Sequence, residues 1–471
     1  MNSQAIDDIR RKANKELNHR SKTELGQFMT ASVIAEFMAQ QLTPKPQAKI
    51  LDCGAGVGSL SIAAANFLKD VDFIEAWELD EVLYKYLCEN YQRINCKYYA
   101  HNKDFINDAV VSILDGTNNK FTHAVINPPY KKISSQSNER LAIRQVGIET
   151  VNLYSAFTAL SMMMLEDEGE LVAIIPRSFC NGPYYLPFRE QIFNEFSIDF
   201  IHVFDSRKEA FKEDKVLQEN VIIKIRKGIQ KDFVEISRST DHTFNDISSE
   251  KISFERIFNK NDKEKFIRIP LNEKKILKLA NKSISEIGLN VSTGQIVDFR
   301  LKEFLKFEMT DDDIPLIYPH HFIKNKFTHP QEHKKPNAIK FDEAIFKWLM
   351  PNNGYYVIVK RFSSKEEKRR IQAYITNPEE INNEFIAFEN HFNVFHKKKN
   401  GLKKDIALGL SMYLNSTYFD EEFRVFSGHT QVNATDLKNM KFPSEEILEK
   451  LGKLYYQDMK QEEIDILVEK M

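Results

Sequence analysis

Through the first half of the chain, short apolar runs alternate with longer segments whose apolar residues return every three or four positions. The runs at Ile50 and Leu51, Phe73 to Leu79, Ala124 to Ile126, Gly169 to Pro176, Ile201 to Phe204 and Asn220 to Ile225 are brief and mostly rich in β-branched or aromatic residues, and each predicts a strand. Helical spacing governs Val33, Ile34, Phe37, Met38 and Leu42, then Leu60, Ile62, Ala63, Phe67 and Leu68, and another helix is expected from Leu153. Ahead of these, Ile6, Ile9, Ala13 and Leu17 mark residues 1–24 as a polar amphipathic helix, a support or a dimer contact. Strands alternating with helices predict an α/β domain built on a doubly wound, Rossmann-like, mostly parallel sheet. Ligands of such sheets sit at the carboxyl ends of the strands.

The pattern then changes. Residues 227–285 are polar and mixed, without clean sheet periodicity, which places a domain junction near 240 and a linker over 241–285. From about 286 to the end a second domain is expected, rich in aromatics that are mostly core (Phe299, Tyr318, Phe346, Trp348, Tyr356) and closing in charged amphipathic helices over 444–471. At 471 residues the chain is too long for one ordinary core, so two domains agree with its length.

Composition narrows the class without fixing it. With 42% hydrophobic and 28% charged residues the chain is that of a soluble globular protein, and no apolar run reaches the length of a membrane span. The amino terminus lacks the pattern of a signal peptide, so the cytoplasm is the expected location. Cys53, Cys88, Cys96 and Cys180 include no Cys-x-x-Cys pair and no histidine at zinc spacing; reduced structural thiols and no metal site are expected. A net charge of −2 excludes a uniformly basic nucleic-acid binder, yet residues 321–404 carry 17 Lys and Arg against 9 Asp and Glu. That local excess of 8 suits a phosphate-facing surface, and equally a solvated face.

Candidate chemistry gathers at the ends of the expected strands. Asn127-Pro128-Pro129-Tyr130 follows the run ending at Ile126, and two prolines there impose a stiff extended loop. The Asn127 side chain and the Pro128 backbone both offer carbonyl acceptors that can converge on an amino group with two hydrogens, and Tyr130 can stack on a flat heterocycle. This geometry suits an exocyclic amine, whose nitrogen becomes nucleophilic once its hydrogens are held, without a strong base. Asp52 to Gly58 forms a glycine loop between strand and helix, where backbone can approach a nucleotide-like ligand. Glu78 lies about 20 residues further on, at the next strand end, where an acid hydrogen-bonds ribose hydroxyls. Asp104 precedes another turn and can accept from an adenine amine. Singly, each also has a plain reading, Thr30 as a helix cap and Glu78 and Asp104 as surface carboxylates; the order of Glu78 and Asp104 behind one glycine loop favours the site.

Gln27 to Thr30, Leu51 to Gly58 and Asn127 to Tyr130, in this order, resemble the gamma class of amino-directed DNA methyltransferases, in which a target-recognition domain follows. Val291 to Arg300, Tyr356 to Arg370 and Gly428 to Leu437 are similar to the recognition domains of PstI/BsuBI-type adenine-N6 methyltransferases. The resemblance covers nearly the whole chain. It implies a methyltransferase domain over 25–240 and an α+β target-recognition domain over 286–471. S-adenosylmethionine would lie against Phe28, Met29, Thr30, Asp52, Cys53, Gly54, Gly56 and Asn127, with Glu78 on its ribose and Asp104 on its adenine. Asn127 and Pro128 would hold the target N6, with Pro129 stiffening the loop, Tyr130 stacking on the extruded base and Phe211 supplying a second aromatic. Cys53 departs from the residue many relatives carry there.

In the second domain Lys360, Arg361, Lys365, Arg369 and Arg370 are candidates for phosphate contacts, and His429, Gln431 and Asn433 for base edges. The expected function is site-specific methylation of adenine N6 in duplex DNA, as the modification enzyme of a type II restriction-modification system with a separate endonuclease. Two other functions share parts of the pattern: methylation of a protein glutamine or an RNA amino group, and a non-catalytic DNA-binding module on a cofactor fold. Cytosine N4 is the minor alternative as methyl acceptor.

Overall fold

The structure is a computed structural model, and it describes residues 3–17, 29–117, 120–205, 219–270, 280–323, 326–363, 367–426 and 431–471. The chain divides into two compact units, Met1–Pro270 and Leu271–Met471.

A nine-stranded sheet forms the first unit: β1 (Ala48–Cys53), β2 (Val71–Trp77), β3 (Lys97–His101), β4 (Phe121–Ile126), β5 (Leu165–Pro176), β6 (Phe196–Phe204), β7 (Asn220–Lys227), β8 (Phe233–Ser239) and β9 (Ser248–Ser253). Their spatial order is β3-β2-β1-β4-β5-β7-β6-β8-β9. The first five in that order run parallel, β7 lies antiparallel between β5 and β6, and β9 closes the edge antiparallel to β8. β4 is buried along its whole length, as a strand covered on both faces must be. On one face, Ile50, Ile74, Val125, Val172 and Ile174 share a core with the helices Ser32–Ala39, Ser59–Leu68 and Glu81–Tyr91. Alternation along each strand turns Cys53 the other way, and its Sγ lies 3.1 Å from Ser161 Oγ on the helix Leu153–Met163. The chain leaves β1 outward to β2 and β3, then returns to lay β4 on β1's other side, so a crevice opens at the carboxyl ends between them.

The amino-terminal helix spans Ser3–Glu16, shorter than expected among the described residues, and it supports the fold. Ile6, Ala13 and Leu17 are buried, and the Asp7 carboxylate accepts from the Ser32 backbone N–H at 3.0 Å. This distant residue serves the start of the helix Ser32–Ala39, whose own N-cap, Ala31, has no side chain able to do so. Thr30 is therefore not that cap.

The junction expected near 240 lies at 270 instead. β8 and β9 extend the sheet into the expected linker, and their periodicity was obscured because β9 is an exposed edge strand carrying Glu250 and Lys251. Beyond it, the fully buried Arg189 guanidinium donates to the carbonyls of Glu264, Phe179 and Gly182, which ties residues 262–268 to the first unit.

The second unit is α+β. Antiparallel strands Asn290–Thr293, Phe392–His396, Tyr356–Lys360 and Ala373–Thr376 form one sheet in that order. A mixed five-stranded sheet surrounds Asp313–Ile317, with its own core of Leu316, Tyr318, Ile339 and Leu349. Helices Lys404–Leu414, Thr417–Phe426, Glu445–Lys453 and Gln461–Lys470 complete it. The first and third of these meet backbone to backbone: a Cβ on Gly409 would stand 1.8 Å from the Leu448 carbonyl oxygen, so only glycine permits the crossing. No helix among the described residues is long and apolar enough to cross a membrane.

Candidate active site

The crevice at the carboxyl ends of β1, β2 and β4 holds a cleft of about 1050 Å³, its open mouth included. Met29, Thr30, Gly54, Gly56, Glu78, Asp104, Asn127 and Pro129 all line it. Eight positions flagged from five separate stretches of sequence thus meet in one space. Trp77, Leu79, Leu60 and Phe157 provide apolar walls.

Gly54 and Gly56 take positive φ values of +79° and +58°, which lets the loop turn sharply after β1. Trp77's carbonyl accepts from the N–H groups of Gly54 and Ala55, each at 2.9 Å, and Asn90 Nδ2 donates to the Val57 carbonyl at 2.8 Å. The loop is fixed before any ligand arrives. Glu78 takes part in that fixing: its carboxylate accepts from Gly56 N–H at 2.7 Å and Asp80 N–H at 2.8 Å. Burial dominates its titration and pushes its pKa up to about 7, against those two hydrogen bonds. Asp104 lines the cleft and caps the helix Phe105–Leu114, accepting from Asn107 N–H at 2.9 Å; burial raises its pKa too.

Asn127 stands at the end of β4 with both ends of its amide engaged. Nδ2 donates to Thr30 Oγ1 at 3.0 Å, and the Tyr130 hydroxyl, shared with the Ile174 carbonyl, donates to Oδ1 at 3.0 Å. Thr30 and Tyr130 thereby fix which way the amide faces. Tyr130's ring meets Tyr154 edge-on at 6.3 Å, and Pro128 is buried.

Asp52 and Cys53 stand apart from the cleft lining. Both are fully buried beneath the loop, where Asp52 accepts from Ser61 N–H at 3.2 Å and burial drives its pKa to about 7. Burial raises the Cys53 thiol as well, which makes it inert packing. All four cysteines are free of disulfides, and no metal-ligating cluster occurs among the described residues. Phe28, Phe211, Lys365 and His429 lie outside the described residues. Sequence reasoning missed Asn102, whose Nδ2 donates to the carbonyls of Glu78 and Leu79, and Lys131 and Glu139, which line the cleft. Only Lys131, next to Tyr130, offered a signal.

The basic candidates of the second unit divide. Arg370 is 1% exposed, packs over Phe423 and donates through Nε to Ser363 Oγ at 3.1 Å, so it is a structural residue with no face for a phosphate. Arg369 donates to the Ser416 carbonyl at 2.6 Å and to Gln461, and burial lowers its pKa. Lys360 is half-buried, 3.9 Å from Glu367. Arg361 reaches the Asn390 carbonyl at 3.2 Å and Gln431 Oε1 at 3.5 Å. Asn433 forms a capping box with Asp436 at the start of the helix Ala434–Lys438, which commits its side chain to the fold.

A glycine loop, a buried acid just past the end of the next strand and a proline-stiffened asparagine at one switch-point crevice define a methyltransferase of the doubly wound class. Comparison with known proteins agrees. The model of the Eco57I restriction-modification methylase family matches residues 59–211. The type II methyltransferase M.BsuBI of Bacillus subtilis is 48% identical, covering 96% of this chain and 95% of its own length. The type II methyltransferase M.PstI of Providencia stuartii is 40% identical, covering 98% of this chain and 96% of its own. A tRNA1(Val) (adenine(37)-N6)-methyltransferase of Shewanella woodyi is 27% identical over 198 residues, 37% of this chain and 76% of its own. The chain belongs to the type II DNA methyltransferases of restriction-modification systems.

Proposed function

We propose that this protein transfers the methyl group of S-adenosylmethionine to N6 of an adenine within a specific duplex DNA sequence, protecting it from a separate endonuclease. The observation that carries the reading is the Asn127 amide, held between Thr30 and Tyr130 on the lining of a cleft that also presents Glu78 and the glycine loop. When bound, S-adenosylmethionine supplies an electrophilic methyl group on a sulfonium. The cleft suits such a molecule: the buried Glu78 for ribose hydroxyls, the half-buried Asp104 for a purine amine, apolar walls, and backbone bare of side chains at Gly54 and Gly56.

The residues around Asn127 do the rest. A carbonyl oxygen accepts at two lone pairs, so Oδ1 has the capacity to take an amine hydrogen alongside the Tyr130 hydroxyl. With the Pro128 carbonyl it holds both hydrogens of N6 and draws the nitrogen lone pair out of the ring. Once methylated the nitrogen is cationic and strongly acidic, so its surplus proton passes to water without a strong base. Pairing and stacking hold the adenine in the duplex, where its N6 cannot enter the cleft, so the base is extruded, at a cost of a few kcal/mol. Adenine is favoured over cytosine because a relative 27% identical over 198 residues carries a name that specifies adenine N6.

Incubation with labelled cofactor and duplex DNA, followed by mass spectrometry of the nucleosides, tests the proposal. N6-methyladenine is the expected product; N4-methylcytosine, or label found only in protein or RNA supplied in parallel, refutes it.

A further inference from the structure

Three stretches that resemble recognition domains, 291–300, 356–370 and 428–437, are far apart in sequence, and the second unit brings described parts of all three to one end of its four-stranded sheet. They surround a fourth segment, Glu389 to His391, which no sequence signal marked. From the first stretch, Ile296 bridges to Glu389, Asn390 N–H donates to the Ile296 carbonyl at 2.9 Å, and a Cβ on Gly294 would stand 2.2 Å from the Glu389 carbonyl oxygen. From the second, Arg361 N–H donates to the His391 carbonyl at 2.7 Å, and the Phe362 ring lies 4.9 Å from the His391 ring. From the third, Val432 N–H donates to the Arg361 carbonyl at 2.7 Å, and Gln431 pairs with Phe362.

At the centre is a buried acid holding an exposed ring. Glu389 is 0% exposed, yet its carboxylate accepts from His391 N–H at 2.8 Å and lies 2.5 Å from His391 Nδ1. The His391 side chain is 42% exposed and Phe362 is 40% exposed. A carboxylate on Nδ1 fixes the proton there and leaves Nε2 as the nitrogen that meets an outside partner. Burying a carboxylate is costly unless it is hydrogen-bonded, and here the bonds serve to aim one surface histidine. Beside it stand a second aromatic, a guanidinium and a glutamine amide, side-chain types that read or stack on bases.

The geometry points to His391 as a base-reading residue of this methyltransferase: its ring, aimed by Glu389 and backed by Phe362, contacts a base edge of the recognition sequence beside Gln431. This rests on the activity proposed above. Glu389 is a positioning residue and touches no DNA.

The test is the methylated motif itself, read by modified-base sequencing of DNA from cells expressing the full-length wild type, His391→Ala, His391→Phe and Glu389→Gln. His391→Ala and His391→Phe are expected to methylate sites that differ from the wild-type motif at one position, with discrimination there falling about tenfold to a hundredfold. Glu389→Gln, which can still accept from the ring, is expected to show a smaller relaxation at the same position. If both His391 variants keep the wild-type motif at every position, the inference fails, whether total methylation is unchanged or uniformly reduced with a weaker salt dependence, the signature of a backbone contact. His391→Phe preserves ring packing on Phe362, so if a folding defect is confined to His391→Ala, the motif methylated by His391→Phe decides the matter. Absence of any modified base from the wild type would overturn the proposed activity, and this inference with it; an intact wild-type motif with unrelaxed variants overturns this inference alone.

Discussion

The cleft of the first unit and the basic stretch of the second were both marked by motifs, and they fared differently. Of the residues flagged around the cleft, eight from five stretches line one space, while Asp52 and Cys53, the last two residues of β1, withdraw beneath the loop. Of the cations flagged in 356–370, Arg369 and Arg370 turn inward to carbonyls, a hydroxyl and a phenyl ring. A parallel sheet delivers every strand's carboxyl end to the same edge, so a motif's position along the chain already gives its position in space. Antiparallel strands present alternate ends to each edge, and a long cationic side chain folds inward or outward according to neighbours that sequence does not announce.

That contrast can be broken by substitution. Asn127→Ala removes the acceptor at the centre of the cleft, and kcat is expected to fall about 1000-fold or more while cofactor binding, followed by calorimetry, persists. Retained turnover would show that motif order had misplaced the chemistry. Arg370→Ala is expected to cost about 3 kcal/mol of unfolding free energy in urea titrations, because it strips a buried hydrogen-bonded cation from its site. The salt dependence of DNA binding should not move; a slope reduced by about 1 would mean that Arg370 does meet a phosphate.

Glu78 sharpens the comparison through pH. Its folded pKa of about 7 exceeds the ordinary 4.5, so the folded state holds the proton more tightly than the unfolded chain. The stability this confers is complete below pH 4.5 and is lost as pH rises towards 7. Glu78→Gln is expected to flatten that window by up to about 3 kcal/mol, read from cofactor-free unfolding at a series of pH values. Asp52, also raised to about 7, preserves its own part of the slope. The smallest effect separates ring from hydroxyl in the cleft. Tyr130→Phe keeps a stacking surface but releases Asn127 Oδ1, so kcat should fall about tenfold with KM for DNA nearly unchanged. A change in KM alone would mean that the hydroxyl serves DNA binding and would leave Asn127's orientation to Thr30.

The order of residues alone announced the doubly wound sheet, the glycine loop, the acid after it and the Asn-Pro-Pro-Tyr corner, because strand and helix periodicity, φ-restricted prolines and glycine turns are local properties. It also marked three stretches of the second unit without saying that they touch. Packing between distant segments settled that β8 and β9 continue the sheet past 240, that Asp7 serves a helix start 25 residues away, and that Thr30 orients Asn127 instead of capping a helix. It alone buried Arg370 and set His391 on the carboxylate of Glu389. Each of those depends on which strands pair and which side chains lose water together, and such pairings are fixed by the packing of distant segments, where the periodicity of any one segment is silent.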